Sequence, residues 1–109
     1  MRGIFKNLSV KVCIALLATS FVTASAKESI KIGAIVAATG PASFLGDPEL
    51  KTIQHYIKKI NASGGVNGQQ LELVHYDTAA NPKKAVTFAK RLINQDKVVA
   101  IIGPSTTGE

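Results

Sequence analysis

The sequence predicts an α/β fold in three layers, with a parallel sheet between helices. Three apolar, β-branched segments alternate with two helical patterns along the chain. The first segment, 29–36, is almost continuously apolar, which is typical of a strand buried on both faces. Breakers at 40–41 and 64–65 separate the segments. Strands that alternate with helices in this way indicate crossover connections and a parallel sheet.

The first helix is predicted to begin at Asp47-Pro48-Glu49. Asp is a favourable N-cap, Pro is tolerated at the first helical position, and Glu complements the positive end of the helix dipole. Glycines at 64–65 are expected to end this helix, because the left-handed residue after a helix is most favourable as Gly. Apolar residues between these points recur every three or four positions and share one face: Leu50, Ile53, Ile57 and Ile60.

The second half of the chain repeats this alternation. A second strand is predicted over 69–76, and Asn81-Pro82 repeats the cap and proline that open a helix. A third, β-branched strand is predicted over 97–102. The second helix carries its own apolar stripe: Ala85, Phe88, Ala89, Leu92 and Ile93.

The predicted sheet has the strand order 2-1-3. Right-handed crossovers restrict the topology, and the simplest doubly wound arrangement places the first strand between the other two. The connections then reverse direction between the first and third strands, and ligands of such sheets bind at that reversal, outside the carboxyl ends of the strands. Two loops flank this position, at 39–46 and 104–109.

The loop after the third strand carries three hydroxyl side chains, on Ser105, Thr106 and Thr107. Thr106 with Glu109 three residues later fits a capping box, which predicts the start of a third helix. The unpaired N–H groups at a helix N-terminus, with hydroxyls beside them, form a binding site for a carboxylate. The alternative interpretation is that these residues only cap the helix.

The loop after the first strand contributes Ser43, Phe44 and Leu45 to the candidate ligand site. In a pocket, Phe44 and Leu45 would cover the apolar part of a ligand. The alternative for Phe44 is a hydrophobic staple that packs on the first helix.

Catalytic groups are not indicated by the sequence. His55 and His75 stand alone, so no pair has metal-ligand spacing. Asp77 ends the second strand without a nucleophile or a second acid nearby, which indicates a turn-stabilising residue. The glycines of 64–68 follow a helix rather than a strand, so they form no dinucleotide fingerprint. We therefore expect no enzyme, no catalytic residues, no cofactor and no metal.

Residues 1–26 have the three parts of a secretory signal peptide: a positive start, an apolar run over 12–22 and the cleavage site Ala-Ser-Ala at 24–26. The run is too short for a bilayer, which takes about 20 apolar residues. Without the three cations of this segment, the formal charge of +6 falls to +3, spread along the chain, and no nucleic-acid partner is indicated. The single cysteine, Cys13, lies in the same segment. We expect export to the periplasm through a cleaved signal peptide.

One longer motif carries a family resemblance. Residues 60–68 (Ile-Asn-Ala-Ser-Gly-Gly-Val-Asn-Gly) resemble the helix-end signature of the branched-chain amino-acid (Leu/Ile/Val-binding-like) type of ABC-transporter substrate-binding protein. Segments 39–41, 71–77 and 101–105 are similar to the same family in order and spacing, so the resemblance covers 29–109. It implies a two-lobed type I periplasmic binding protein that closes on its ligand.

The resemblance also implies roles for the two loops. In that family the loop after the third strand holds the ligand carboxylate, a role that maps here onto Ser105, Thr106 and Thr107. The first loop places a side chain over the ligand. Leucine-binding members tend to have an aromatic residue just before the glycine, where this chain has Leu45. The implied ligand is therefore an amino acid of the branched-chain type, or another aliphatic, aromatic or amide-like small molecule.

The domain organisation implied by the resemblance is a signal peptide at 1–26 and, at 27–109, the N-terminal part of the first ligand-binding lobe, without the second lobe. Its function would be amino-acid transport as the solute-binding component of an ABC importer, with an inner-membrane permease as partner. The alternatives are a ligand-sensing receptor or regulator of the same fold, an exported enzyme with its catalytic residues elsewhere, and a non-functional truncated remnant. Residues 27–109 alone are expected to be marginally folded, because so short a chain buries little more than half of its unfolded surface.

Overall fold

The fold is seen in a computed structural model, which describes residues 27–109; the signal peptide predicted for residues 1–26 lies outside the described residues. Within the described range, no helix combines the length and the apolar character that a membrane span requires. The elements in chain order are β1 (Ile30–Val36), α1 (Ser43–Ala62), β2 (Leu71–Asp77), α2 (Pro82–Arg91), a π-helical turn (Leu92–Asp96) and β3 (Ala100–Ile102).

The strands form one parallel sheet in the order β2-β1-β3. Ile30 of β1 lies opposite Leu71 of β2, and Ile32 of β1 lies opposite Ala100 of β3. This arrangement confirms the fold class and the strand order predicted from the sequence. Because β1 has a neighbour on each side, its end is deeply buried, and no residue of 34–37 is more than 5% exposed.

The helices lie on opposite faces of the sheet. Leu92, at the end of α2, is fully buried and packs on Gly33 of β1. Val36 stands three residues further along β1, and therefore on the other face, where it lines a cleft with Ile53 of α1. The sheet thus has a helix on each side, which gives the three layers.

The start of α1 was predicted wrongly. The helix begins at Ser43, four residues before Asp47, and its N-cap is Ala42, which makes no side-chain capping bond. Asp47 instead forms an ion pair of 2.7 Å with a lysine one turn later. Gly46 makes the extra turn possible, because a Cβ there would lie 2.2 Å from the backbone of Ala37. Close packing of this glycine on the chain just after β1 therefore extends the helix beyond the local cap signal.

The end of α1 is fixed to the start of β2. The Asn61 side chain accepts the Leu71 N–H at 2.7 Å and donates to the Leu71 carbonyl at 2.8 Å. Gly64 and Gly65 then adopt φ angles of 100° and 77°, and the Gly65 N–H bonds to the Ile60 carbonyl at 2.9 Å. The predicted glycine ending of this helix is confirmed.

α2 begins where the sequence predicts, because the Asn81 side chain accepts two backbone N–H groups at 3.0 and 3.1 Å. The helix then widens into the π-helical turn and ends at Lys97, which has a left-handed φ of 58°. β3 starts at Ala100, three residues later than predicted. The reason is that the chain is still closing the helix at Val98, whose N–H bonds to the Leu92 carbonyl at 3.1 Å.

Candidate functional site

A cleft of about 540 Å³ opens at the carboxyl ends of β1 and β3. It lies between α1 and the first residues after β3, which is the position where the connections of the sheet reverse. The two loops singled out in the sequence both contribute to it. Its lining residues are Val36, Phe44, Leu45, Pro48, Glu49, Thr52, Ile53, Ile102, Gly103 and Pro104.

The surface of the cleft is mainly apolar. Phe44 and Leu45 lie in the first turn of α1, are 73% and 40% exposed, and present apolar surface to the cleft. The lining has one charged side chain, Glu49, and one side-chain hydroxyl, on Thr52. Because Phe44 lies inside α1 and not before it, a hydrophobic staple does not describe its position. Such a surface suits a ligand with an apolar body and few polar groups.

Ser105 joins three elements at the edge of the cleft. Its Oγ accepts the N–H of Ala37, just after β1, at 3.0 Å. The same Oγ donates to Oε2 of Glu49, on α1, at 2.5 Å. The single hydroxyl proton of Ser105 is therefore donated to Glu49, and both hydrogen bonds of this hydroxyl stabilise the fold.

The other predicted hydroxyls have different surroundings. Thr106 donates its N–H and its hydroxyl to Oε2 of Glu109, at 3.2 and 2.8 Å. The N–H bond is half of a capping box, but residues 103–109 form bends and a turn, and the predicted third helix is not formed within 27–109. Thr107 is exposed, and its hydroxyl bonds to no other described residue. Ser43 is half-buried at the start of α1 and is not among the lining residues.

A second polar cluster lies at the end of β2, beside the first loop. Asp77 accepts the Thr39 N–H at 3.2 Å, the Thr39 hydroxyl at 2.5 Å and the Ala79 N–H at 2.9 Å. Partial burial acts to raise the pKa of this carboxyl, but the hydrogen bonds to its charged form outweigh burial and hold the pKa of Asp77 below its usual value of 3.8. The bond to Ala79 is the turn-stabilising contact expected from the sequence.

The roles of Glu49 and Thr39 were not predicted from the sequence. Glu49 was expected only to complement the helix dipole, yet it contacts Ser105, 56 residues later in the chain. Thr39 was predicted only as the first residue of the loop after the first strand, yet its N–H and hydroxyl donate to Asp77, 38 residues later. Local sequence signals do not report such distant pairs. The predicted strand order indicated only that the segments after the first and third strands meet.

The fold and the cleft first define a class of domain: an α/β domain with a parallel sheet in the order β2-β1-β3 and a mainly apolar cleft where the connections of the sheet reverse. The sequence profile of the periplasmic binding protein family matches residues 29–109, and this chain belongs to that family. The Leu/Ile/Val-binding protein of Escherichia coli K12 is 37% identical over 91 residues, which cover 84% of this chain and 24% of that protein. The chain thus spans about a quarter of the length of the curated relatives it matches.

Solved structures show the same likeness. The branched-chain amino-acid transporter substrate-binding protein LivJ of Streptococcus pneumoniae, in complex with isoleucine, is 36% identical with a TM-score of 0.72, covering 73% of this chain and 23% of that one. A solute-binding protein of an ABC transporter from Rhodopseudomonas palustris BisB5, in complex with 3,4-dihydroxybenzoic acid, is 36% identical with a TM-score of 0.60, covering 67% and 20%. These relatives are solute-binding proteins of transporters.

Proposed function

We propose that the full-length protein containing this chain is the solute-binding component of an ABC importer for amino acids of the branched-chain type, or for related small carboxylates and amides. The apolar cleft at the carboxyl ends of β1 and β3, in a chain of the periplasmic binding protein family, carries this proposal. The ligands named for the two similar structures, isoleucine and 3,4-dihydroxybenzoic acid, both join a carboxyl group to a hydrocarbon part, which is a branched alkyl chain in the first and a benzene ring with two hydroxyl groups in the second. A cleft with apolar walls and few donors suits that chemistry.

Thr107, which lies three residues beyond the last lining residue, Pro104, is the proposed donor to the ligand carboxylate. Ser105 and Thr106 already donate their hydroxyl protons to glutamates of the protein, whereas Thr107 is exposed. Its hydroxyl and the neighbouring backbone N–H groups would hold the charged end of the ligand. Phe44 and Leu45 would then cover the apolar part of the ligand, with Ser43 as the preceding residue of α1.

For the whole protein, we propose export to the periplasm and two lobes that close on the ligand. Residues 1–26 act as a cleaved signal peptide for the periplasm, and residues 27–109 form the first part of the first ligand-binding lobe. A second lobe would close on the ligand, and an inner-membrane permease would receive it. The protein has a binding role and no catalytic one, in keeping with a family of solute-binding proteins.

A thermal-shift panel on the full-length protein tests the ligand class. The panel contains L-leucine, L-isoleucine, 3,4-dihydroxybenzoate and acetamide. A ligand present at 100 times its Kd stabilises the folded state by about 2.7 kcal/mol, so binding raises the melting temperature. The proposal expects a shift with at least one panel member, and a panel without any shift contradicts it. Stimulation of ATP hydrolysis by the reconstituted permease then separates import from sensing.

The Thr107→Ala variant tests the site itself. Loss of a hydrogen bond to a charged acceptor should weaken binding about tenfold, and Thr107→Ser, which keeps the hydroxyl, should restore most of the affinity. Thr87→Ala is the matched control, because that hydroxyl bonds to the Lys83 carbonyl on the exposed surface of α2. Equal affinities of Thr107→Ala and the wild type would remove Thr107 from the site.

A further inference from the structure

The turn between β2 and α2 has an unusual backbone. Ala79 and Ala80 are consecutive non-glycine residues with left-handed φ angles of 50° and 59°. Residues with a Cβ adopt this region only when their surroundings hold them there, and such residues concentrate at binding and switch regions. Here the turn is held on both sides: Asn81 caps α2, and the fully buried Thr78 donates its N–H to the Val36 carbonyl of β1 at 2.9 Å.

This turn contacts the loop that leads from β1 to the cleft. Asp77 binds the Thr39 N–H and hydroxyl at 3.2 and 2.5 Å, and binds the turn itself through the Ala79 N–H at 2.9 Å. Gly40, with a φ of 80°, lies so close that a Cβ there would be 3.0 Å from the Ala79 carbonyl oxygen. The Asp77 carboxylate and the close approach of Gly40 to Ala79 therefore hold the loop after β1 against the turn between β2 and α2.

From this geometry we infer that Asp77 is a positioning residue for ligand binding. Its carboxylate fixes the backbone at Thr39, and this fixes the start of α1, where Phe44 and Leu45 line the cleft. A loop held in its binding conformation loses less entropy when the ligand arrives, so the bond contributes to affinity without touching the ligand. The inference rests on the proposed function, because it takes the cleft as the ligand site.

Hydrogen exchange and calorimetry on the full-length protein test this inference, with L-isoleucine and 3,4-dihydroxybenzoate as probes. In Asp77→Ala, backbone amides of 39–46 should exchange about tenfold faster, and probe affinity should fall by a similar factor, while amides in the second half of α1 keep their rates. Thr39→Val removes the hydroxyl bond to Asp77 but keeps the N–H bond and nearly the same side-chain shape. It should therefore show the same pattern more weakly. Asp47→Ala, which removes an exposed ion pair of α1, is the matched control and should change neither quantity.

Three outcomes would overturn the inference. The first is unchanged exchange at 39–46 in both Asp77→Ala and Thr39→Val. The second is faster exchange there with unchanged probe affinity. The third is a uniform rise in exchange across the whole sheet, which would reveal a general loss of stability. If the wild type binds neither probe, a member of the thermal-shift panel that does bind replaces them. If the wild type binds no panel member, the proposed function fails, and the exchange pattern alone decides whether Asp77 holds the loop.

Discussion

The hydroxyl of Ser105 donates to the carboxylate of Glu49 at 2.5 Å, and its oxygen also accepts the Ala37 N–H at 3.0 Å. One side chain thus ties the loop after β3 to the end of β1 and to α1. The three elements meet at the cleft, so the shape of the proposed ligand site depends on this contact. The stability of the fold and the geometry of the site are coupled there.

Replacement of Ser105 by Ala should destabilise the full-length protein by about 1–3 kcal/mol, because the partly buried Ala37 N–H loses its acceptor. Urea unfolding measures the change. Glu49→Gln keeps an acceptor for the hydroxyl and should cost less. Ser63→Ala is the control, since that hydroxyl bonds to an exposed helix carbonyl. A loss no larger than that of the control would show that the bridge does not stabilise the fold.

Gly46→Ala should be destabilising although Ala is the better helix former. A Cβ at this position would lie 2.2 Å from the backbone of Ala37, and overpacking typically costs about 1–3 kcal/mol. The gain in helix propensity, about 1 kcal/mol, does not offset a clash with backbone atoms. Thermal unfolding is the measurement, and Gly108→Ala is the control, because a Cβ there meets nothing within 4 Å. Equal melting temperatures for the two variants would contradict the close packing of α1.

Asn61→Ala should also reduce stability, by about 1–3 kcal/mol. The side chain satisfies both the N–H and the carbonyl of Leu71, and the substitution leaves both without a partner. Asn61→Asp keeps the acceptor but replaces the donor with a negatively charged oxygen beside the Leu71 carbonyl, so it should lose at least as much stability as Asn61→Ala. Guanidinium unfolding measures the three proteins, and a variant as stable as the wild type would refute this account.

Asp77 makes stability depend on acid pH. Its pKa is lower in the folded state than in the unfolded chain, so the folded state favours the charged carboxylate. The contribution is fully present above the unfolded pKa, about 3.9, and is lost as the pH falls through the lower, folded value. Asp77→Asn should therefore be less stable than the wild type at pH 7, and the difference should shrink below about pH 4. Denaturation from pH 7 to 3 measures it, and a difference independent of pH would be the contrary result.

Much of the fold was predictable because it depends on short-range patterns. Apolar runs, the Asn81 cap and the glycines at 64–65 each act over a few residues, and they led to the correct strand order. The start of α1 was not predictable in this way. Asp47-Pro48 is a strong local start signal, but the packing of Gly46 on Ala37 is a tertiary contact and prevails over it.

The candidate site was predictable only in outline. The topology indicated that the segments after β1 and β3 would meet, and the cleft lies where they do. The individual roles depend on contacts between residues far apart in sequence. Ser105 was expected either to bind a ligand carboxylate or to cap a helix, but its bond to Glu49 is visible only once the chain is folded.

α1 is fastened near both ends, through Glu49 on the cleft side and through Asn61 on the opposite side. With 20 residues it is about 30 Å long, so it crosses one face of the sheet with hydrogen bonds near both of its ends. These contacts oppose a tilt or a shift of α1 that would enlarge the cleft for a bulkier ligand. Changes of ligand preference during evolution would then come from substitutions at Phe44 and Leu45, while the backbone of α1 keeps its position.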